Sequence, residues 1–257
     1  SISLTNALSI EGEGSLFTGN PFSLIYIAGG NSLANDNNVV CGDVCENLLL
    51  TDGYAFGTIS PFTAKNVNYQ RNMTANKFGT IVLPFAPNTE DYEFYELTSV
   101  GDNTLTFDEV AVPVANTPYL YRLCEGKSAT AIESSETPIS SELVVAEADG
   151  WQTVGSYVHQ TISTNDEGYY AYTAADNQFH RVTKSLSVKP FRAYLKGNIG
   201  NVDAIKVRTR NGGVTLIDAT EVNDDQLPEI YYDLSGRRVN NLTKGVYIVD
   251  GKKVVIK

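Results

Sequence analysis

The side chains able to support nucleophilic or metal chemistry are few: two histidines, His159 and His180, and three cysteines, Cys41, Cys45 and Cys124. A structural zinc site takes four sulfur or nitrogen ligands. The cysteines offer three, and neither histidine stands at ligand spacing from them, so no metal site is expected. A Ser/His or Cys/His dyad has no sequence support either: there is no Gly-x-Ser-x-Gly elbow, no GxxxxGK[ST] phosphate loop, no HExxH and no GxGxxG after a strand. Carboxylates cluster at Glu90-Asp91 with Glu93 and Glu96, and at Asp108-Glu109. A glycosidase needs two carboxyl groups about 5 to 9.5 Å apart, but adjacent residues on a strand point to opposite faces, so these pairs read as solvated charge. Asn35-Asp36-Asn37-Asn38 offers oxygen atoms to calcium yet lacks the spaced carboxylates of a calcium loop, and reads as a solvated turn. The expectation is a chain with no catalytic residues, metal or cofactor.

Two features leave room for alternatives. Cys41 and Cys45 flank Gly42-Asp43-Val44 and can bridge in an oxidising compartment if the loop brings their Cβ atoms within reach; otherwise they are buried free thiols. Trp151, Tyr157, Tyr169, Tyr170, Tyr172 and Phe179 crowd into a short span in which Asn165, Asp166, Glu167 and Asn177 offer hydrogen bonds. Exposed aromatics of this kind stack on sugar faces, which would make Trp151, Tyr169, Tyr170, Tyr172 and Phe179 a glycan or adhesion surface. The opposing reading is that they are core anchors, the commoner use of aromatics. Tyr169 and Tyr170 must face opposite ways on a strand, so one of them should be the less buried.

These residues are carried by a sequence patterned for strands. Fifteen Tyr and twenty-one Gly against one Met and one Trp, with frequent Thr, Asn, Ser and Val, favour strands and turns over helices. The run Leu24 to Ala28 ending at Gly29-Gly30 reads as an apolar strand. Leu48 to Phe56 reads as strand, turn and strand across Asp52-Gly53, and Phe62 to Arg71 alternates apolar with polar residues at period two. Gly79 to Phe85 is a short buried strand stopped by Pro84. Further strands are expected at Tyr92–Val100, Leu105–Val112, Pro118–Arg122, Leu143–Ala146, Trp151–Tyr157, Gly168–Thr173, Gln178–Arg181 and Phe191–Leu195. Many short strands at regular spacing predict a mainly β chain with an antiparallel β-sandwich or jelly-roll-like domain over residues 36–222. The acidic, proline-ended stretch Asn223 to Pro228 reads as a linker to a small tail at 223–257; residues 1–35 read as a strand segment ending an upstream region.

Charge and hydropathy exclude other classes. A net charge of −11 and a pI near 4.6 disfavour nucleic acid, whose phosphates demand clustered Lys and Arg. No run approaches the roughly 18 apolar residues of a membrane-spanning helix, so no transmembrane segment is expected. Ser1 in place of Met, with no charged-then-apolar leader after it, implies a leader already removed or a longer chain upstream.

The tail has a pattern of its own. Tyr231, Tyr232 and Leu234 lead into Ser235-Gly236 and return through Arg237, Arg238 and Val239, while Val246 to Val249 meets Lys252 to Ile256 across Asp250-Gly251, the dipeptide suited to a two-residue type I′ turn. Tyr232-Asp233-Leu234, Gly236-Arg237, Gly245-Val246-Tyr247-Ile248-Val249 and Gly251-Lys252-Lys253 with a final Val-Ile-Lys together resemble the C-terminal sorting domain of Bacteroidetes surface and secreted proteins. The resemblance implies export by the type IX secretion machinery of the outer membrane, a secreted or cell-surface location, and Tyr232, Gly236, Gly245, Tyr247, Gly251 and Lys253 as positions of the sorting tail. LLLTDGYAF, GTIVLPFAP, TPYLYR, WQTVGSY, GYYAY and PFRAYL, in that order, are similar to an uncharacterised all-β module preceding such tails in Bacteroides and Prevotella surface proteins. LFTGNPFSLIYIAGG faintly resembles a last rung of the leucine-rich repeats found in such proteins. These resemblances imply a surface location and an all-β fold; with no catalytic motif in the chain, the expectation is a non-catalytic structural module of a larger surface protein, with carbohydrate binding or adhesion through the aromatics between Trp151 and Phe179 as the alternative and the secretion machinery, or a glycan, as partner.

Overall fold

The computed structural model describes residues 22–27, 36–74, 77–101, 103–163, 168–197 and 202–210, together with short strands at both ends of the chain. Every regular element among them is a strand. Two compact units emerge, Ser1–Gly212 and Gly213–Lys257.

The first unit holds two large sheets. The six-stranded sheet runs β1 (Ile2–Leu4), β2 (Ile25–Ile27), β3 (Val39–Cys41), β4 (Val44–Thr51), β5 (Phe62–Gln70) and β10 (Ala131–Ile139). The ten-stranded sheet runs β11 (Ala146–Ala148), β12 (Trp151–Ser156), β17 (Arg192–Lys196), β14 (Tyr169–Thr173), β15 (Gln178–Arg181), β18 (Ala204–Arg210), β8 (Thr104–Glu109), β7 (Tyr92–Gly101), β9 (Pro118–Leu123) and β6 (Phe78–Val82). A separate ribbon pairs β13 (Gln160–Ser163) with β16 (Ser185–Val188). Most ladders are antiparallel, as expected; parallel pairs join β1 to β2, β2 to β3, β4 to β5 and β8 to β18.

Period-two alternation divides the apolar residues between two cores. Tyr119, Tyr121 and Leu123 face one core while Leu120, between them, faces the other; Phe94 and Tyr95 divide the same way. β7 and β9 are therefore buried on both faces, which explains why PYLYRL is apolar at nearly every position. The first core lies between the two sheets, where Leu48, Leu50, Val67 and Tyr69 meet Ile81, Val82, Phe94 and Tyr121. The second lies inside the curl of the ten-stranded sheet, where Tyr95, Leu105 and Phe107 meet Trp151, Tyr170, Phe179, Leu195 and Ile205. A large sheet curled on one face and covered by a second on the other is a β-sandwich-like architecture.

Several sequence expectations need correction. Tyr54–Phe56 is not a strand, and Leu143–Val145 is exposed coil preceding β11. Strands β3, β10, β13, β16 and β18 lie outside the stretches whose pattern predicts strands. β10 carries few apolar residues, AIESSETPI, and contains Pro138; it is tolerated because β10 is the sheet edge. Near the start of the chain, β1 and β2 extend the sheet containing β3 and β4. The polar stretch expected to be solvated ends in a structural plug: Asn38, buried with φ +61°, donates its amide to Phe22 O and Leu49 O at 3.0 Å each and accepts from Leu49 N at 2.6 Å.

The second unit is a five-stranded sheet of β19 (Thr220–Glu221), β23 (Lys252–Ile256), β22 (Gly245–Val249), β20 (Tyr231–Tyr232) and β21 (Arg238–Val239). Val249 opposes Lys252, so the register leaves the dipeptide Asp250-Gly251 between the strands. β19 pairs with β23 at Thr220↔Val254 and Glu221↔Val255, which places Thr220 and Glu221 in this sheet. The linker placed at Asn223–Pro228 lies outside the described residues.

Candidate functional site

The residues able to do chemistry are engaged elsewhere or held apart. His159 Nε2 lies 2.9 Å from Gly53 O, and His180 Nε2 lies 2.7 Å from Asp176, both at exposed positions. Glu93 takes Arg122 Nε at 2.5 Å and the Tyr95 hydroxyl; Asp108 takes Arg210 through two bonds of 2.5 and 2.7 Å; Asp91 pairs with Lys127 at 2.7 Å. Among the described residues no group of three or more His, Cys, Asp or Glu side chains could hold a metal.

None of the three cysteines forms a disulfide. In the β3–β4 hairpin Val40 opposes Cys45 and Cys41 opposes Val44, so the two cysteines point to opposite faces of one sheet and the possible Cys41–Cys45 bridge is absent. Burial pushes the Cys45 thiol up to about 11, against backbone donors that lower it, and burial also raises Cys124. Both therefore stay protonated at neutral pH, where a thiol is a poor nucleophile.

The aromatic cluster divides between core and surface. Trp151, Tyr170 and Phe179 are 4 %, 0 % and 1 % exposed. Trp151 lies 5.1 Å from Tyr170, and Phe179 stacks on Phe107 at 6.0 Å, inside the curl of the ten-stranded sheet. Tyr169 faces the other way, partly exposed, against Tyr194 at 6.0 Å and beneath the Lys196 ammonium. Tyr172 is also half-buried and donates to Asn177 Oδ1 at 2.9 Å. Asn165, Asp166 and Glu167 lie outside the described residues. Close packing around Trp151 gives a test: a Cβ at Gly197 would sit 2.1 to 2.6 Å from indole atoms. Overpacking of a rigid core costs about 1–3 kcal/mol or more, so Gly197→Ala is expected to lower Tm by several degrees. Gly57→Ala, which meets nothing within 4 Å, should leave the thermal melt unchanged.

In the tail, Tyr232 opposes Ile248, Gly245 opposes Ile256, and Lys253 opposes Ile248 from the other strand. Tyr247 is buried and opposes Val254. Gly236 and Gly251 lie outside the described residues.

The fold assembles two further features that sequence spacing does not reveal. Between the sheets, Arg192 grips Asp52 with Nη1 at 2.6 Å and Nη2 at 2.7 Å. The Tyr69 hydroxyl donates to Asp52 at 3.2 Å, while Arg71 lies over the Tyr121 ring and donates to Thr80 O at 3.1 Å. Burial opposes the charge on Asp52, but the Arg192 hydrogen bond and charge, then Arg71 and Tyr69, outweigh it and hold the carboxyl below its usual range. This network ties the sheets together. Neither thiol nor imidazole belongs to it.

The second feature is a groove on the outer face of β4, β5 and β10. Three neighbouring strands change the face they bury at one level: Cys45 and then Leu48, Ala64 and then Val67, Ile132 and then Thr137. The change leaves Asn47, Asn66 and Ser135 side by side in the ladder, with Asn68 opposite Glu133 one step along. The groove encloses about 610 Å³. Comparison with protein-family models, curated proteins and solved structures finds no match.

Proposed function

We propose that the chain is a non-catalytic structural module of a larger Bacteroidetes surface or secreted protein, exported through its C-terminal tail to the exterior of the outer membrane. The observation that carries the proposal is the tail itself. Its order of elements, Tyr232-Asp233-Leu234, Gly236-Arg237, Gly245 to Val249 and Gly251-Lys252-Lys253, resembles the sorting domain. The described strands of this stretch belong to a compact unit with its own five-stranded sheet, in which β22 pairs antiparallel with β23. An address is best read when it folds independently of the cargo, and the separate sheet suits that role.

The structural role of the preceding unit is supported by where its polar chemistry goes. Its carboxylates and guanidinium groups at Glu93–Arg122, Asp52–Arg192 and Asp108–Arg210 are spent on each other, and Trp151, Tyr170 and Phe179 fill the core. The aromatic span thus serves the packing of the curled sheet, with Tyr169 and Tyr172 at its margin.

Fusing residues 213–257 to a periplasmic reporter enzyme in a type IX-competent Bacteroidetes strain tests the address. Reporter activity is expected outside the cell, and is expected to stay in the periplasm of a strain lacking the translocon. Reporter retained in the periplasm of both strains would remove the sorting assignment.

A further inference from the structure

From the groove on β4, β5 and β10 we infer a second, independent activity: binding of a neutral, hydroxyl-rich chain, that is, an uncharged polysaccharide, through a row of amides on the outer face of the sheet. The lining is dominated by Asn37, Asn47, Asn66, Asn68, Asn88 and Glu133. An amide presents both donors and an acceptor, and a sugar hydroxyl does the same, so a row of amides matches a row of hydroxyls without needing either sign of charge.

Other ligand classes fit less well. The lining of this groove contains no Lys or Arg, so phosphate, sulfate or uronate groups find no counter-charge, and the chain's net charge of −11 repels them further. Its one carboxylate, Glu133, already accepts from Asn68 Nδ2 at 2.7 Å, too few hard oxygens for calcium. A peptide strand adding to the sheet needs a bare edge. The β10 edge is covered by the preceding segment: Asn88 Nδ2 donates to Glu133 O at 3.0 Å and Ser134 Oγ to Ala86 O at 3.2 Å. The lining holds no aromatic ring, so hydrogen bonds rather than stacking carry the recognition.

The polar face extends beyond the groove. Asn68 and Glu133 line an adjoining depression with Thr51, Asp52, Gln70 and Arg71, whose guanidinium is turned to Thr80 O and the Tyr121 ring. The amide face therefore continues along β5 from Asn66 to Gln70, four residues or about 14 Å at the rise of a strand. That length suits a chain of several sugar units, not a single small molecule.

The test is native affinity electrophoresis of the full chain through gels carrying mannan, xyloglucan, amylopectin or arabinogalactan, with polygalacturonate as the acidic counterpart. Retardation is expected in at least one neutral gel and not in polygalacturonate. The Asn66→Ala/Asn68→Ala double variant is expected to bind at least about tenfold more weakly, the loss of one to two ligand hydrogen bonds, whereas Tyr169→Ala binds as the parent does. If the double variant fails to fold, Asn66→Ala and Glu133→Gln, both at exposed positions, decide by the same weakening. Absence of retardation in every neutral gel, retardation only in polygalacturonate, retardation that survives the groove variants, or its loss in Tyr169→Ala would each overturn the inference. None of these outcomes depends on export, so the proposal about the tail stands or falls separately.

Discussion

Phe191→Ala is expected to destabilise the sandwich unit by about 3–5 kcal/mol, the range for deleting a buried phenylalanine ring, which corresponds to a fall in Tm of roughly 10 °C for a domain of this size. Phe191 is 1 % exposed, and its ring lies 4.9 Å from Tyr69, 5.6 Å from Tyr157 and 6.3 Å from Phe56. Those partners come from β5 and from loops on either side of the sandwich, so the ring joins segments far apart in sequence. The backbone at Phe191 has φ +61°, unfavourable for a bulky residue, and is held by its N–H donating to Ser156 O at 2.7 Å. That conformation gives the prediction a second edge. Glycine in an ordinary strand is about 0.5–1 kcal/mol worse than alanine, but here it relieves the left-handed strain. Phe191→Gly should therefore be no less stable than Phe191→Ala in guanidinium denaturation followed by Trp151 emission. A clear deficit of the glycine variant would show that the positive φ is not maintained in solution.

Arg192→Leu should be nearly as damaging, with a pH signature of its own. Removing one partner of a buried ion pair costs about 3–5 kcal/mol. With 21 % and 30 % side-chain exposure in this pair, the low end, about 3 kcal/mol, is expected. In the parent the Asp52 pKa is depressed in the folded state. Its contribution is thus complete above the unfolded carboxylate value, about 3.9, and is lost as pH falls through the lower folded value. In Arg192→Leu, burial acts on Asp52 without its principal counter-charge and its pKa moves the other way. The variant then gains relative stability as the carboxyl protonates. The deficit between parent and variant should narrow as pH falls from 7 towards 4. Asp52→Asn leaves the guanidinium, which cannot shed its charge, so its deficit should stay nearly flat above pH 5. Urea denaturation of the three proteins across pH 4 to 7 measures this. Parallel curves for the parent and Arg192→Leu would contradict the assigned network.

The strands that were legible from sequence are those with a one-sided or doubly apolar pattern. Phe62–Gln70 alternates because one face meets the core, and Pro118–Leu123 is a continuous apolar run because each face meets a different core. Ala131–Ile139 was not legible, because its partners on β5 supply the ladder and it buries only Ile132, Thr137 and Ile139 itself. Ala204–Arg210 likewise alternates lysine and arginine with Ile205 and Val207, a weak signal for a strand held in the sheet by β8 and β15. The split of Tyr169 from Tyr170 followed directly from strand geometry. Which of the two would face the core did not, since both neighbours in sequence are small or aromatic and the decision rests with Trp151 and Val202 across the fold.

Sites built from distant residues were the least legible. Asp52 and Arg192 stand 140 positions apart; in sequence, Asp52 reads only as the first residue of a turn. The amide row was hidden for another reason. Asn47, Asn66 and Asn68 look like solvent-facing positions on separate strands, and only the in-register pairing of β4 with β5 sets Asn47 beside Asn66. By contrast, the second tail hairpin could be placed from local sequence alone, because a two-residue connection fixes the register of both its strands.

The most direct test of the tail's proposed role is to truncate the chain after Gly212 and to follow both fold and location in a type IX-competent Bacteroidetes cell, with the same leader on parent and truncation. The truncated protein is expected to keep the thermal transition of the sandwich unit when purified, yet to accumulate in the periplasm while the parent reaches the cell surface or medium. Export of the truncated, folded protein at the parent's level would contradict the account.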